Sequence, residues 1–118
     1  PTIKCPKSCI GCSSRQNLYK NLKETMALND WKRVITEAKK LGLKKLTISG
    51  GEPTLYKNLY EIVKYSKSKN IETLINTTGL NLNEKLLNEL IIAGLDGITF
   101  SLESLNTQID KKIRKQNF

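Results

Sequence analysis

Gly42 to Ser49 reads GLKKLTIS, and Gly94 to Ser101 reads GLDGITFS. Both follow one pattern, Gly-Leu-x-x-apolar-Thr-apolar-Ser. A glycine at this place ends a helix, because it enters left-handed backbone without a Cβ penalty. The alternating apolar and β-branched residues that follow read as a strand. The two copies lie two βα units apart. A chain that repeats a helix stop and then a strand builds a stack of equivalent βα units, hence a parallel sheet or barrel. Right-handed crossovers then put every loop that follows a strand on one face.

Working outward, TIK (2–4) reads as a brief first strand. Trp31, Val34, Ile35, Ala38 and Leu41 recur at offsets of three and four, which predicts a helix over 29–41 with Asn29 or Asp30 as its cap. KKLTIS (44–49) is the second strand, and GGEP (50–53) punctuates it. Leu59, Ile62 and Val63 mark a second helix over 57–69, and ETLINT (72–77) is the third strand. Leu86, Leu87, Leu90 and Ile91 mark a third helix from Asn83 to the stop at Gly94. GITFSLE (97–103) is the fourth strand, and Thr107–Lys115 a fourth helix with Ile109 and Ile113 inward.

The unusual residues fall after the strands. Three cysteines (Cys5, Cys9, Cys12) follow the first, GGEP the second, NTTG (76–79) the third, and SLES (101–104) ends the fourth. In barrel-like α/β folds the chemistry sits at the C-terminal ends of the strands. Chance could place one such stretch there, but four on one rim point to a single site.

The chain has 118 residues, 3 cysteines and no histidine. An odd, tightly clustered set of thiols is not a disulfide framework and suits a metal in a reducing compartment. Structural zinc wants four Cys or His ligands in spaced pairs, so a zinc site here needs an Asp or Glu. A redox Cys9-x-x-Cys12 pair leaves Cys5 over. An iron–sulfur cube fits better, since three thiolates hold three corners and leave one iron open.

Twenty Lys and Arg against 11 Asp and Glu give a net charge of +9. The lysines interleave with apolar helical positions, as on a solvated surface; attraction to RNA or an acidic peptide is the less favoured reading. The longest apolar run, LIIAGL (90–95), is far short of the ~20 residues of a membrane span. With no apolar signal-peptide stretch at its N-terminus, the protein is expected to be cytoplasmic.

Cys-x₃-Cys-x₂-Cys after a first strand, SGGEPTL (49–55) after the second and ITFSLES…IDKKIR (98–114) beyond resemble the radical S-adenosylmethionine enzyme superfamily. Within it, the motifs look most like the molybdenum-cofactor and SPASM peptide-maturase branches. The resemblance implies a [4Fe–4S] cluster on Cys5, Cys9 and Cys12, with S-adenosylmethionine on the open iron. It implies an oxidoreductase-type reaction in which reductive cleavage gives a 5′-deoxyadenosyl radical that takes a hydrogen atom from a substrate. A reduced flavodoxin- or ferredoxin-type protein would supply the electron, and a peptide or protein is the favoured substrate. It further implies S-adenosylmethionine contacts at Gly50, Gly51, Glu52, Pro53, Thr77, Ser101, Glu103 and Arg114: Glu52 as a carboxylate near the ammonium group, Ser101 and Glu103 near the ribose and methionine groups, Arg114 on the carboxylate. Gly11 stands where many members carry an aromatic residue near the adenine, and Ile109 replaces a frequent histidine. The fold implied is the N-terminal portion, about four βα units, of a partial (β/α)6 TIM-like barrel with parallel strands. Residues 1–118 are accordingly expected to be a radical S-adenosylmethionine core domain truncated on its C-terminal side, with strand four an open apolar edge. Two alternatives stay open: a non-catalytic zinc-binding module, and a basic nucleic-acid-binding α/β domain.

Overall fold

Three helix-to-strand junctions share one physical device, and they organise the chain. The computed structural model describes residues 2, 4–12 and 26–114. Helix α1 (Leu28–Lys40) runs into Gly42 at φ 94°, and α3 (Glu84–Ala93) into Gly94 at φ 91°. Between them α2 (Leu59–Ser68) runs into Asn70 at φ 54°. In each case the amides just past the helix cap its last carbonyls: Gly42 to Lys39 and Leu43 to Ala38, Asn70 to Lys67 and Ile71 to Ser66, Gly94 to Ile91 and Leu95 to Leu90. This double bond is the Schellman motif. The apolar residue after each turn packs into or against the core and leads into a strand.

Those strands are β1 (Lys45–Ile48), β2 (Glu72–Thr77) and β3 (Gly97–Phe100), parallel and in the order β1-β2-β3. Ile48 lies opposite Ile75, and Ile75 opposite Ile98, so one sheet face presents a row of isoleucines. Ile35 of α1, Leu59, Ile62 and Val63 of α2, and Leu90 and Ala93 of α3 cluster on that row. Helix α4 (Thr107–Arg114) follows β3. The α/β class and the parallel barrel-like winding therefore hold.

Three expectations need correction. Thr2 and Lys4 lie in no strand, and Ile3 is outside the described residues; the carbonyls of Thr2 and Lys4 instead accept from Gly51 and Glu52 at 2.7 Å each. The sheet described thus has three strands where four were expected. The last strand ends at Phe100 rather than 103. Helix α1 starts one residue earlier than its expected cap: Ala27 is the N-cap, without a side-chain bond, and Asp30 sits inside the first turn, paired with Arg33 at 3.1 Å. The fourth helix is described to Arg114, Lys115 lying outside. Asn83 caps α3 as read, accepting from the Leu86 amide at 2.8 Å. Strand β3 is an edge of the described sheet, and Phe100 at its end and Leu102 and Leu105 beyond it are exposed, Leu105 at 92%. Among the described residues no helix is long and apolar enough to cross a membrane.

Candidate functional site

All three loops that follow strands emerge at the C-terminal end of the parallel sheet, and hydrogen bonds tie them to each other. Gly50 leaves β1 at φ 151°, a conformation that favours glycine. Pro53 then starts a 3₁₀ turn, Pro53–Leu55, where its missing N–H costs nothing. Between them Glu52 is 0% exposed. Its Oε1 accepts from the Thr54 amide (3.1 Å), the Thr54 hydroxyl (2.7 Å) and the Thr77 hydroxyl (2.6 Å). Its Oε2 accepts from the Thr78 amide (2.8 Å) and the Thr78 hydroxyl (2.6 Å). The Thr77 hydroxyl also accepts from the Gly79 amide at 3.0 Å. Burial alone would raise the Glu52 pKa; the hydroxyls of Thr54, Thr77 and Thr78 and the Thr78 amide outweigh it and hold the carboxyl below its ordinary value.

The cysteine loop spans the gap from the loop after β1 to α4. At one end the Lys4 carbonyl holds the Glu52 amide. At the other, the amides of Ser8 and Ile10 donate to the carbonyls of Arg114 (3.2 Å) and Ile113 (3.0 Å). The Cys12 amide closes a turn on the Cys9 carbonyl at 3.3 Å. Cys5, Cys9 and Cys12 are each half-buried and in no disulfide. As they stand, no three Cys, Asp or Glu side chains among the described residues converge tightly enough to hold a metal ion. Three thiols on one short anchored loop nonetheless fit the donor chemistry of an iron–sulfur cluster, and loading such a site normally draws its ligands together.

Arg114 is 1% exposed: Nε donates to Asp110 Oδ1 at 2.7 Å and Nη2 to the Ser101 carbonyl. Asp110 Oδ1 also accepts from the Glu103 amide at 3.3 Å. The pair thus fastens α4 to the chain leaving β3. Ser101 and Glu103 are both exposed and lie past the end of the strand, so strand alternation does not set their direction. The Ser101 amide still donates to the Thr77 carbonyl at 2.8 Å, which keeps it beside the loop after β2.

Two residues escaped the sequence reading. Asp110 was seen only as part of a motif, although the i, i+4 spacing to Arg114 was a visible signal. Lys7 reads as one more polar residue of the cysteine loop but is 3% exposed. Burial lowers its pKa and Arg114 lowers it further, while Asp110 works in the other direction.

A family model described as "Radical SAM superfamily" matches residues 1–118. The PqqA peptide cyclase of Rhizobium meliloti (strain 1021) is 33% identical over 112 residues, 95% of this chain and 30% of that protein. A probable GTP 3′,8-cyclase of Methanocaldococcus jannaschii is 36% identical over 114 residues, 97% of this chain and 38% of that protein. The chain therefore spans about a third of the length of these relatives. Among solved structures, Streptococcus suis SuiB bound to precursor peptide SuiA superposes with a TM-score of 0.76 at 24% identity, over 96% of this chain and 25% of that one. That likeness concerns the fold, and it matches the parallel βα winding described above.

Proposed function

Since this chain belongs to the Radical SAM superfamily, we propose that it carries the cluster and S-adenosylmethionine end of an enzyme that modifies a peptide or protein. Cys5, Cys9 and Cys12 hold a [4Fe–4S] cluster, and the rim formed by Gly50–Pro53, Thr77 and Ser101–Glu103 receives S-adenosylmethionine. When bound, the cluster supplies one electron to split the sulfonium C–S bond, releasing methionine and a 5′-deoxyadenosyl radical that takes a hydrogen atom from the substrate. The observation that carries this reading is the fastening of the cysteine loop, through Lys4 and Glu52 on one side and α4 on the other, onto the rim where the other motifs lie.

The chain's own residues have separable tasks. Gly50 and Gly51 let a ligand approach backbone, since no side chain stands there. Glu52 has no acceptor capacity left for the ligand's ammonium group. Ser101 and Glu103 are the exposed polar side chains at the rim. Arg114 supports α4 and so the cysteine loop, rather than binding the methionine carboxylate. The electron comes from a reduced flavodoxin- or ferredoxin-type donor, in keeping with a cytoplasmic reaction. The relationship to a PqqA peptide cyclase supports a peptide substrate. A nucleotide substrate is the second reading, favoured by the 36% identity to a probable GTP 3′,8-cyclase. The family match favours both over a zinc-binding module or a basic nucleic-acid-binding domain.

The test is anaerobic reconstitution with iron and sulfide, followed by electron paramagnetic resonance of the reduced protein. A [4Fe–4S]⁺ signal that changes on adding S-adenosylmethionine, and is lost in the Cys5→Ala/Cys9→Ala/Cys12→Ala variant, is the expected result. Folded protein that takes up zinc and no iron cluster would refute the proposal.

A further inference from the structure

Lysine is almost never fully buried unless something pairs with it. Lys7 is 3% exposed, yet among the described residues it makes no hydrogen bond and no ion pair. Its place follows from the loop around it. The Ser8 amide donates to the Arg114 carbonyl and the Ile10 amide to that of Ile113, so this part of the cysteine loop lies against the end of α4. Two charges reach Lys7 from that helix: Arg114 repels it and Asp110 attracts it. Asp110 is already engaged, since its Oδ1 accepts from Arg114 Nε at 2.7 Å and from the Glu103 amide at 3.3 Å. Two buried cations therefore share one carboxylate, which leaves a surplus of positive charge beneath the loop. A buried charge without a partner is costly. Such a group points to an anion beyond the protein's own carboxylates.

The loop itself says which anion. Cys5 and Cys9 stand two positions from Lys7 on either side, near enough to act on it as thiolates. Cysteine ligates a metal in that form. Three thiolates outweigh the positive charge of an oxidised [4Fe–4S] core, so the loaded cluster is anionic, and an added electron makes it more so. We infer that Lys7 is the buried counter-ion of the cluster held by Cys5, Cys9 and Cys12, and that its ammonium group raises the cluster's reduction potential, easing the electron's transfer from the donor. The inference rests on the cluster site proposed above and adds to it the residue that sets how readily that cluster is reduced. Net charge and surroundings tune such potentials. A buried charge is also screened by salt far less than a surface one. The same ammonium group burdens the metal-free protein, where an apolar side chain of similar size is often neutral or stabilising in place of a buried ion.

The experiment uses the full chain in two forms. In the reconstituted protein, potentiometry followed by electron paramagnetic resonance gives the midpoint potential of the wild type, Lys7→Met, Lys7→Arg and Lys4→Met at high salt. Lys4 belongs to the same stretch but is exposed. Lys7→Met should make reduction about tenfold less favourable, a fall of about 59 mV for one electron. Lys7→Arg should stay close to the wild type, and Lys4→Met should move the potential much less than Lys7→Met. In the metal-free protein, the urea midpoint of Lys7→Met should equal or exceed that of the wild type. An unchanged potential in Lys7→Met, or an equal fall in Lys4→Met, overturns the inference. So does a lowered urea midpoint or an unfolded Lys7→Met, either of which would show that protein groups already hold the lysine. Should Lys7→Met fold but load no cluster, Asp110→Asn decides: it removes the carboxylate that the two cations share and must raise the potential. A wild type that assembles no cluster overturns the proposed function and this inference with it, whereas loaded proteins of equal potential overturn this inference alone.

Discussion

The buried pair of Arg114 and Asp110 makes the sharpest quantitative prediction. Arg114 is 1% exposed, the Asp110 side chain 17%, and they meet at 2.7 Å. Replacing Arg114 by Met keeps most of its apolar stem and removes the guanidinium. It strips Asp110 of its charged partner and the Ser101 carbonyl of a donor. Removing one member of a buried ion pair costs about 3–5 kcal/mol; the partial exposure of Asp110 puts Arg114→Met at the lower end, about 3 kcal/mol. Asp110→Asn leaves Arg114 buried with only its carbonyl partner, and a lost hydrogen bond between charged groups is worth about 2 kcal/mol. The double variant forfeits the bond once. It should cost about 3.5 kcal/mol rather than the additive 5, a coupling of about 1.5 kcal/mol. Urea denaturation of the four proteins, followed by far-ultraviolet circular dichroism, reads this directly. With a slope of about 1–3 kcal/mol per molar urea, shifts of this size are well resolved. Because the Arg114 and Ile113 carbonyls anchor the cysteine loop, Arg114→Met should also speed the labelling of the cysteines by a thiol reagent. Costs that add to within about 0.5 kcal/mol would refute the argument: Arg114 would then be available to a ligand carboxylate, as the sequence motif implies.

The remaining predictions test other parts of the molecule. Glu52 has a folded-state pKa below its unfolded value, so its contribution is present above the ordinary carboxylate range and is lost as pH falls through the folded pKa. Thermal melts between pH 7 and pH 3 should therefore show the wild type losing its advantage over Glu52→Gln on the acid side, and a gap independent of pH would contradict this. Gly42→Ala and Gly94→Ala both force alanine into left-handed backbone, a cost of about 1–2 kcal/mol. The Cβ at Gly42 meets nothing within 4 Å, whereas at Gly94 it falls 2.7 Å from Lys67 Cγ, and Lys67 is tethered to Asp96 at 2.5 Å. Gly94→Ala should thus have the lower urea midpoint of the two, and equal midpoints would show that the lysine yields freely. Gly11 has open space around it, so Gly11→Ala should move the midpoint by no more than about 0.5 kcal/mol in stability.

The fold was legible where a local rule decides the outcome. Gly42-Leu43 and Gly94-Leu95 were readable as helix stops because a glycine beside an apolar residue is the sequence form of the Schellman turn. The middle copy, Asn70-Ile71, performs the same task and was missed, since asparagine enters left-handed backbone without glycine's signature. With it, the repeat is threefold and accounts for all three strands of the described sheet. The start of α1 misled because Asn29 and Asp30 are good caps, yet the helix begins ahead of them at Leu28. The site was legible as a set of positions and illegible as a set of partners. Sequence placed Glu52, Thr77 and Ser101 on one rim, and the family resemblance alone implied Arg114. It could not show that Glu52 is saturated by threonines as far as 26 positions away, nor that Arg114 turns inward to Asp110. Those facts depend on which loops the sheet brings side by side. Lys7 shows the same limit from the other side: a lysine reads as surface until the packing of its loop against α4 is known.

Of the three charged groups that a motif-based reading would assign to the ligand, Glu52 and Arg114 are engaged by the protein, while Glu103 is exposed. Glu52 binds the exits of β1 and β2; Arg114 binds α4 to the exit of β3. Each lies almost fully buried, and each would be an expensive orphan without its partners. On the function proposed above, the ligand would meet two glycines and the exposed Ser101 and Glu103 at this rim. The same arrangement explains why the cysteine loop is joined to both charged residues: its Lys4 carbonyl receives the Glu52 amide, and its Ser8 amide donates to the Arg114 carbonyl. A disturbance of either clamp should thus be felt at the thiols, and loading of the thiols should in turn tighten both clamps.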